Sequence, residues 1–235
     1  MLDRAADAGV THIFMPAIDL DSIPKMEAIR NDRVKLYMMA GIHPSEVKEK
    51  RPKLEARLQE YCSRDDIIAV GETGLDYYWT TDYVVEQKES LHAHCRVSKS
   101  TGKPIVLHNR DSTSDVLDII EEHQDGGLTG VWHCFTGTAD EGRRALDLGL
   151  HLGIGGILTF KNAGVDKAVA ELPLEKMMLE TDAPYLAPDP KRGKRNEPSF
   201  LQYTARKLAE VKEMTLEKVV ESTTKTALQL FRPPS

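Results

Sequence analysis

Glu72, His108, His133 and Asp182 are the residues of this chain whose types and spacing could do chemistry. Each falls at the C-terminal end of a short apolar run: IIAVGETGLD (67–76), PIVLHNR (104–110), GVWHCFTG (130–137) and MMLETDAPYLAP (177–188). Runs of this kind, bounded by glycine, proline and polar residues, predict β-strands. An acid at the end of a buried strand is costly unless it is paired or bound to metal. Two imidazoles and two carboxylates brought to one place make a nitrogen/oxygen ligand set for a divalent metal, one or two ions of Mg, Mn or Zn. Glu72 and Asp182 are the candidate catalytic acids, because an acid beside a bound metal can also take a proton from the attacking water. Taken singly, each residue has a blander reading as a turn carboxylate or a structural strand-end histidine.

Their neighbours extend the set. Arg110 follows His108 by two positions, which places both on one face of a continuing strand and gives a guanidinium for a phosphate. Glu180 precedes Asp182 by two, and is expected behind it as a supporting partner. His43, in GIHP (41–44), is also at a strand end; a ligand, a phosphate contact and a structural histidine are all open, with a substrate contact favoured. PKRGKRNEP (190–198) carries Arg192 and Arg195 around Gly193, directly after the Asp182 strand, where a basic loop suits phosphate. A solvated basic loop is the plain alternative. Cys134 is expected to be a small buried thiol rather than a nucleophile or thiolate ligand.

Positioning these residues requires strands far apart in sequence to open onto one mouth. Strands are expected at 10–18, 34–43, 67–72, 104–108, 130–135, 151–156 and 177–182. Helices are expected near 51–63, 81–101 (closed by Gly102), 113–123, 138–149, 164–171 and 199–231. Thr138 and Glu141 have capping-box spacing, and Thr215 reads as an internal N-cap. A repeated strand-then-helix order implies a parallel sheet. The favoured architecture is a (β/α) TIM-type barrel in one domain, 1–235, whose active site lies at the strand C-termini. An open doubly wound sheet is the alternative. Seven strands are visible where a standard barrel has eight. The chain opens on a helical MLDRAADA closed by Gly9, which reads as the second half of a βα unit whose strand is missing.

Composition narrows the function classes. A net charge of −6 argues against a surface that coats nucleic acid broadly, without excluding a local basic site. Three cysteines without a CxxC fit a reducing compartment and no disulfide partner. No apolar run reaches membrane-spanning length, and no signal-peptide pattern opens the chain. A soluble, cytoplasmic monomer is expected. Neither a Walker A run nor a Gly-rich dinucleotide turn is present, so nothing points to ATP or NAD.

With these residues in hand, the chain resembles the TatD-type metal-dependent deoxyribonucleases of the amidohydrolase-like TIM barrels. The matching runs are GIHP, GETGLDYY, KPIVLHNRD, HCFTG, GGILTF, LETDAPYLAP and RGKRNEP, in family order from residue 41 onward, with RAADAGVTHIFMPAID matching upstream. The resemblance implies a divalent-metal phosphodiesterase acting on DNA. It also implies metal roles for the Glu of GE, the His of LH, the His of HCF and the Asp of ETD, here Glu72, His108, His133 and Asp182. The family's first strand carries a His-x-His metal pair, and this sequence starts after it. His12 lies in the following strand and does not replace it. Two other readings stand beside the nuclease. One is a hydrolase of the same barrel type acting on an amide, lactone or ester; the other is an inactive barrel. The basic mouth is the discriminator, since a neutral amide does not require it.

Overall fold

The computed structural model describes residues 1–48 and 53–234. In chain order the elements are α1 (Leu2–Asp7), β1 (His12–Met15), α2 (Ile23–Glu27), β2 (Lys35–Ala40), α3 (Leu54–Cys62), β3 (Ile67–Asp76), α4 (Val84–Thr101), β4 (Ile105–Arg110), α5 (Thr113–His123), β5 (Gly130–Trp132), α6 (Ala139–Asp147), β6 (Leu150–Ile154), α7 (Val165–Glu171), β7 (Met177–Leu179), α8 (Leu201–Val211) and α9 (Leu216–Phe231). The seven strands form one sheet in sequential order, every neighbouring pair parallel. The sheet curls into a half-barrel with helices alternating along the chain. β1 pairs with β2 and β7 with β6, so these two are the edge strands among the described residues.

Alternation along the strands sorts side chains into two layers. Val106, Val131 and Met178 point to one face with Tyr37, Met39 and Phe14, and Phe231, Ala227 and Leu230 of α9 pack onto that layer. Ile105, Leu107, Trp132, Leu152 and Met177 point the other way, into the core shared with the helices. His108, His133 and Glu180 each lie two positions beyond a residue of the first layer. The site therefore rests directly on an apolar floor.

Several expected boundaries move. β3 continues past Glu72 to Asp76, aided by an irregular register with β4 between Val70 and Thr73. β7 ends at Leu179, not 182, and Asp182 adopts φ 55°, so it sits in a turn beyond the strand. β5 ends at Trp132, and His133 follows it. The Thr138–Glu141 capping box forms, and Thr215 caps α9 by accepting from the Lys218 N–H. Residues 51 and 52 of the expected 51–63 helix lie outside the described residues; α3 begins at Leu54. Cys62, Cys95 and Cys134 are unbonded thiols, and no helix among the described residues is long and apolar enough to cross a membrane.

Candidate metal centre

Four of the seven strands deliver the site, β3, β4, β5 and β7, with β6 standing between the last two. β3 supplies Glu72 and Asp76, β4 supplies His108, the segment after β5 supplies His133, and the segment after β7 supplies Glu180 and Asp182. Parallel register sets Gly74 beside His108 and Asp76 beside Arg110. Gly74 adopts φ 139°, and a Cβ there would overlap the His108 carbonyl, so only glycine lets β3 run this close to β4.

Each imidazole is gripped from both sides. His108 Nε2–H donates to Asp76 Oδ2 (3.0 Å), while Nδ1 faces Glu72 Oε1 (3.0 Å). His133 Nδ1–H donates to Glu180 Oε2 (2.7 Å), while Nε2 faces Asp182 Oδ1 (3.2 Å) and Glu72 Oε1 (3.9 Å). Glu180 Oε1 also accepts the Cys134 N–H (2.7 Å), which fixes the carboxylate. A carboxylate behind a histidine sets its ring orientation and raises its basicity as a ligand. Glu72 Oε1 is shared between the two imidazoles, so His108, Glu72, His133 and Asp182 form a continuous chain. Its links span 3.0 to 3.9 Å.

His43 reaches the same place from the loop after β2. Its Nε2 lies 3.2 Å from His108 Nδ1 and 3.7 Å from Glu72 Oε1. The ligand atoms of His43, Glu72 and His108 all lie within 4.8 Å of one another. Donors about 2.1 Å from a tetrahedral ion are about 3.4 Å apart, so these spacings fit a divalent ion. His43 Nδ1 lies 3.1 Å from the Ser45 nitrogen and 2.8 Å from Ser45 Oγ. Accepting the Ser45 N–H leaves the ring's proton on Nε2, aimed at Glu72 and His108, as a donor to substrate; donating Nδ1–H to Ser45 Oγ instead frees Nε2 to ligate.

Electrostatics follow from the crowding. Burial pushes Glu72 up, but His133 and His108 hold it at about 2, fully ionised. Burial opposes charge on His133, yet Glu180, Glu72 and Asp182 raise it well above an ordinary histidine. His108 is likewise raised by Asp76 and Glu72 against its burial. Burial lowers His43, so it is the neutral imidazole of the three. Four carboxylates against three imidazoles leave an anionic donor set, the chemistry that a divalent cation completes.

Gly153 of β6 and the basic residues frame the centre. A Cβ at Gly153 would overlap the Glu180 carboxylate, so β6 contributes the space that Glu180 occupies. Arg110 is exposed and its guanidinium lies 3.6 Å from the Tyr78 ring centroid. Arg192 lies 3.6 Å from the Phe160 ring centroid, and Arg195 is exposed. Buried Asn196 ties their loop to the Asp182 turn by donating to the Thr181 carbonyl (2.5 Å) and the Tyr185 carbonyl (2.6 Å). Among the described residues none of these three guanidiniums pairs with a site carboxylate. Cys134 is half-buried, unlike the buried thiols of Cys62 and Cys95, and desolvation together with Glu180 pushes its thiol up, away from the thiolate form.

Sequence reading missed two residues. Asp76 shares the parity of Glu72 along β3, a signal hidden by ending that strand at 72. His94 lies inside α4, where no pattern marks it. It is fully buried, its Nε2 accepts the Ile42 N–H (3.0 Å), and its Nδ1–H donates to the Ser90 carbonyl (2.7 Å). It thus holds the residue next to His43.

A curled parallel sheet with imidazoles and carboxylates at its strand C-termini defines a TIM-like metal-hydrolase barrel. Comparison with known proteins makes the class specific. The chain belongs to the TatD family: the family model described as TatD related DNase matches residues 1–232. It is 36 % identical over 233 residues to the uncharacterized metal-dependent hydrolase YabD of Bacillus subtilis, covering 99 % of this chain and 91 % of that one. It is 31 % identical over 217 residues to a Cronobacter sakazakii protein named 3'-5' ssDNA/RNA exonuclease TatD, covering 89 % and 82 %. Among solved structures, the TatD homologue YjjV of Escherichia coli K12 superposes with a TM-score of 0.92. The two are 27 % identical, over 99 % of this chain and 91 % of that one.

Proposed function

We propose that this protein hydrolyses phosphodiester bonds of nucleic acid, DNA above all, at a divalent ion held by Glu72, His108, His133 and Asp182. The observation that carries the reading is the double clamp. Asp76 and Glu180 hold the outer nitrogens, so His108 Nδ1 and His133 Nε2 both turn toward Glu72. When bound, the ion would polarise the phosphodiester and acidify a water. Asp182, at the exposed end of the chain of ligands, takes the proton from the attacking water. His43 donates through Nε2–H to a substrate oxygen. Arg110 binds a phosphate beside the centre, and Arg192 and Arg195 bind the flanking backbone. The name of the Cronobacter relative supports a nuclease, and the basic residues support a polyanion over a neutral amide or lactone.

The test is hydrolysis by chelator-stripped protein reloaded separately with Mg, Mn or Zn. Substrates are end-labelled single-stranded DNA, duplex DNA, an aryl ester, a lactone and an amide. Metal-dependent cleavage of DNA, lost on stripping, is expected. Turnover of the lactone, ester or amide with intact DNA would replace this reading by the second hydrolase class. Inactivity on every substrate with each metal bound would favour the inactive barrel.

A further inference from the structure

Beside the centre stands an aromatic group with no place in the chemistry above. Trp79 is 74 % exposed and Tyr78 is 53 % exposed. Their rings meet edge-on, centroids 4.9 Å apart at 87°. The Arg110 guanidinium lies over Tyr78 and 5.4 Å from the Trp79 ring centroid. Two large aromatics left in water at a strand end forgo substantial burial, and stacked with the exposed Arg110 cation they form a surface suited to flat, electron-rich, anionic matter.

The group is fastened to the site. The Tyr78 N–H donates to Asp76 Oδ1 (3.0 Å), and Asp76 Oδ2 accepts from His108. The Tyr77 N–H donates to the Arg110 carbonyl (2.9 Å), and the Tyr77 hydroxyl donates to Asp115 (2.7 Å). Two hydrogen bonds thus separate the Tyr78 backbone from an imidazole of the centre. Such a short path fixes the position of the aromatic pair relative to His108.

We infer that Trp79, with Tyr78 and Arg110, is a stacking platform for one unpaired base next to the scissile phosphate, and that it selects single strands over duplex. This rests on the nucleic-acid reading and adds a subsite to it. A base inside a duplex has its faces covered by its neighbours, whereas an unpaired base offers a free π-face to an indole or a guanidinium. Stacking reads no hydrogen-bonding edge, so the selection is for strandedness and not for sequence. A protein partner is the other class of occupant. Arg110 forms no close ion pair among the described residues, although it is near enough to Asp76 to lower that carboxyl, and an exposed guanidinium favours the phosphate-bearing one.

The experiment compares wild type, Trp79→Ala and Trp79→Phe in binding and cleavage of a single-stranded oligonucleotide, a blunt duplex and an abasic strand. Removing one base–aromatic stack should weaken single-strand binding about 5- to 100-fold. Loss on the abasic strand should be much smaller, the single-strand to duplex preference should fall, and Trp79→Phe should recover most of both. Fluorescence gives a second readout. The chain has two tryptophans, and Trp132 is buried, so the single strand should quench emission in wild type and not in Trp79→Phe. Equal losses on based and abasic strands, or no loss at all, would overturn the platform while leaving the nuclease intact. If wild type binds no oligonucleotide, the nucleic-acid reading fails and the platform fails with it.

Discussion

Replacing His94 separates a buried neutral imidazole from every titrating residue of the centre. Burial pushes His94 down to about 4, below the ordinary 6.5, and it accepts one hydrogen bond and donates one. A folded value below the unfolded one means that the unfolded chain takes up the proton first. The stability tied to a neutral His94 is present above 6.5 and is lost as pH falls toward 4. Integrating that difference, His94 should withdraw about 2 kcal/mol of stability between about pH 8 and about pH 5. A glutamine side chain in its place would accept the Ile42 N–H without titrating, so His94→Gln should stay within about 1.5 kcal/mol of wild type at about pH 8 and lack the acid-side loss. His94→Leu orphans the buried Ile42 N–H and should cost about 1–3 kcal/mol at about pH 8, a deficit against wild type that shrinks by about 2 kcal/mol at about pH 5 because leucine does not titrate. Urea unfolding of wild type and His94→Gln at both pH values checks this. Subtracting one protein from the other cancels groups common to both, His43 and His133 among them. If the two lose equal stability on acidification, His94 is not the neutral buried group described here.

Three further outcomes follow from the centre. Asp182→Asn should lower turnover at saturating metal by about 10²- to 10⁴-fold with little change in thermal stability, because Asn tolerates the left-handed turn but takes no proton; steady-state kinetics decide it. Asp76→Asn should weaken metal affinity by about 10- to 100-fold by removing the negative charge behind His108 and leaving one acceptor oxygen for two donors, the His108 Nε2–H and the Tyr78 N–H, measurable by titration calorimetry on stripped protein. Changing Arg192 and Arg195 together to Ala should reduce the salt slope of DNA binding by about one unit per lost phosphate contact and leave metal affinity unchanged; an identical slope would return the loop to solvent.

Parity carried most of what was legible in the sequence. His108, His133 and Glu180 continue the face of Val106, Val131 and Met178, so apolar runs ending in such residues announce both the strand and its direction. Asp182 stood out because an acid before Ala-Pro stands at a strand end, and the structure brings it to His133, although from a turn rather than from the extended face it was expected to share with Glu180. Asp76 was hidden because two glycines resemble a strand's end, while here they let β3 pass close to β4 and continue. His94 acts through another residue's backbone from the middle of a helix. Tertiary packing alone creates that contact. The Tyr78–Arg110 stack likewise depends on the β3–β4 register, which is set by long-range pairing and not by local pattern.

Gly153 shows that a strand can take part in a reaction by subtraction. β6 brings no donor, acid or base to the mouth, yet the room it leaves admits the carboxylate that orients His133. A methyl group there would displace Glu180, free the imidazole to turn, and release the Cys134 N–H, with every chemically active side chain still present. The centre therefore has a failure mode that no inventory of histidines and acids would reveal. A relative that keeps all of those residues but carries a larger side chain at this position should be suspected of a different chemistry, or of none.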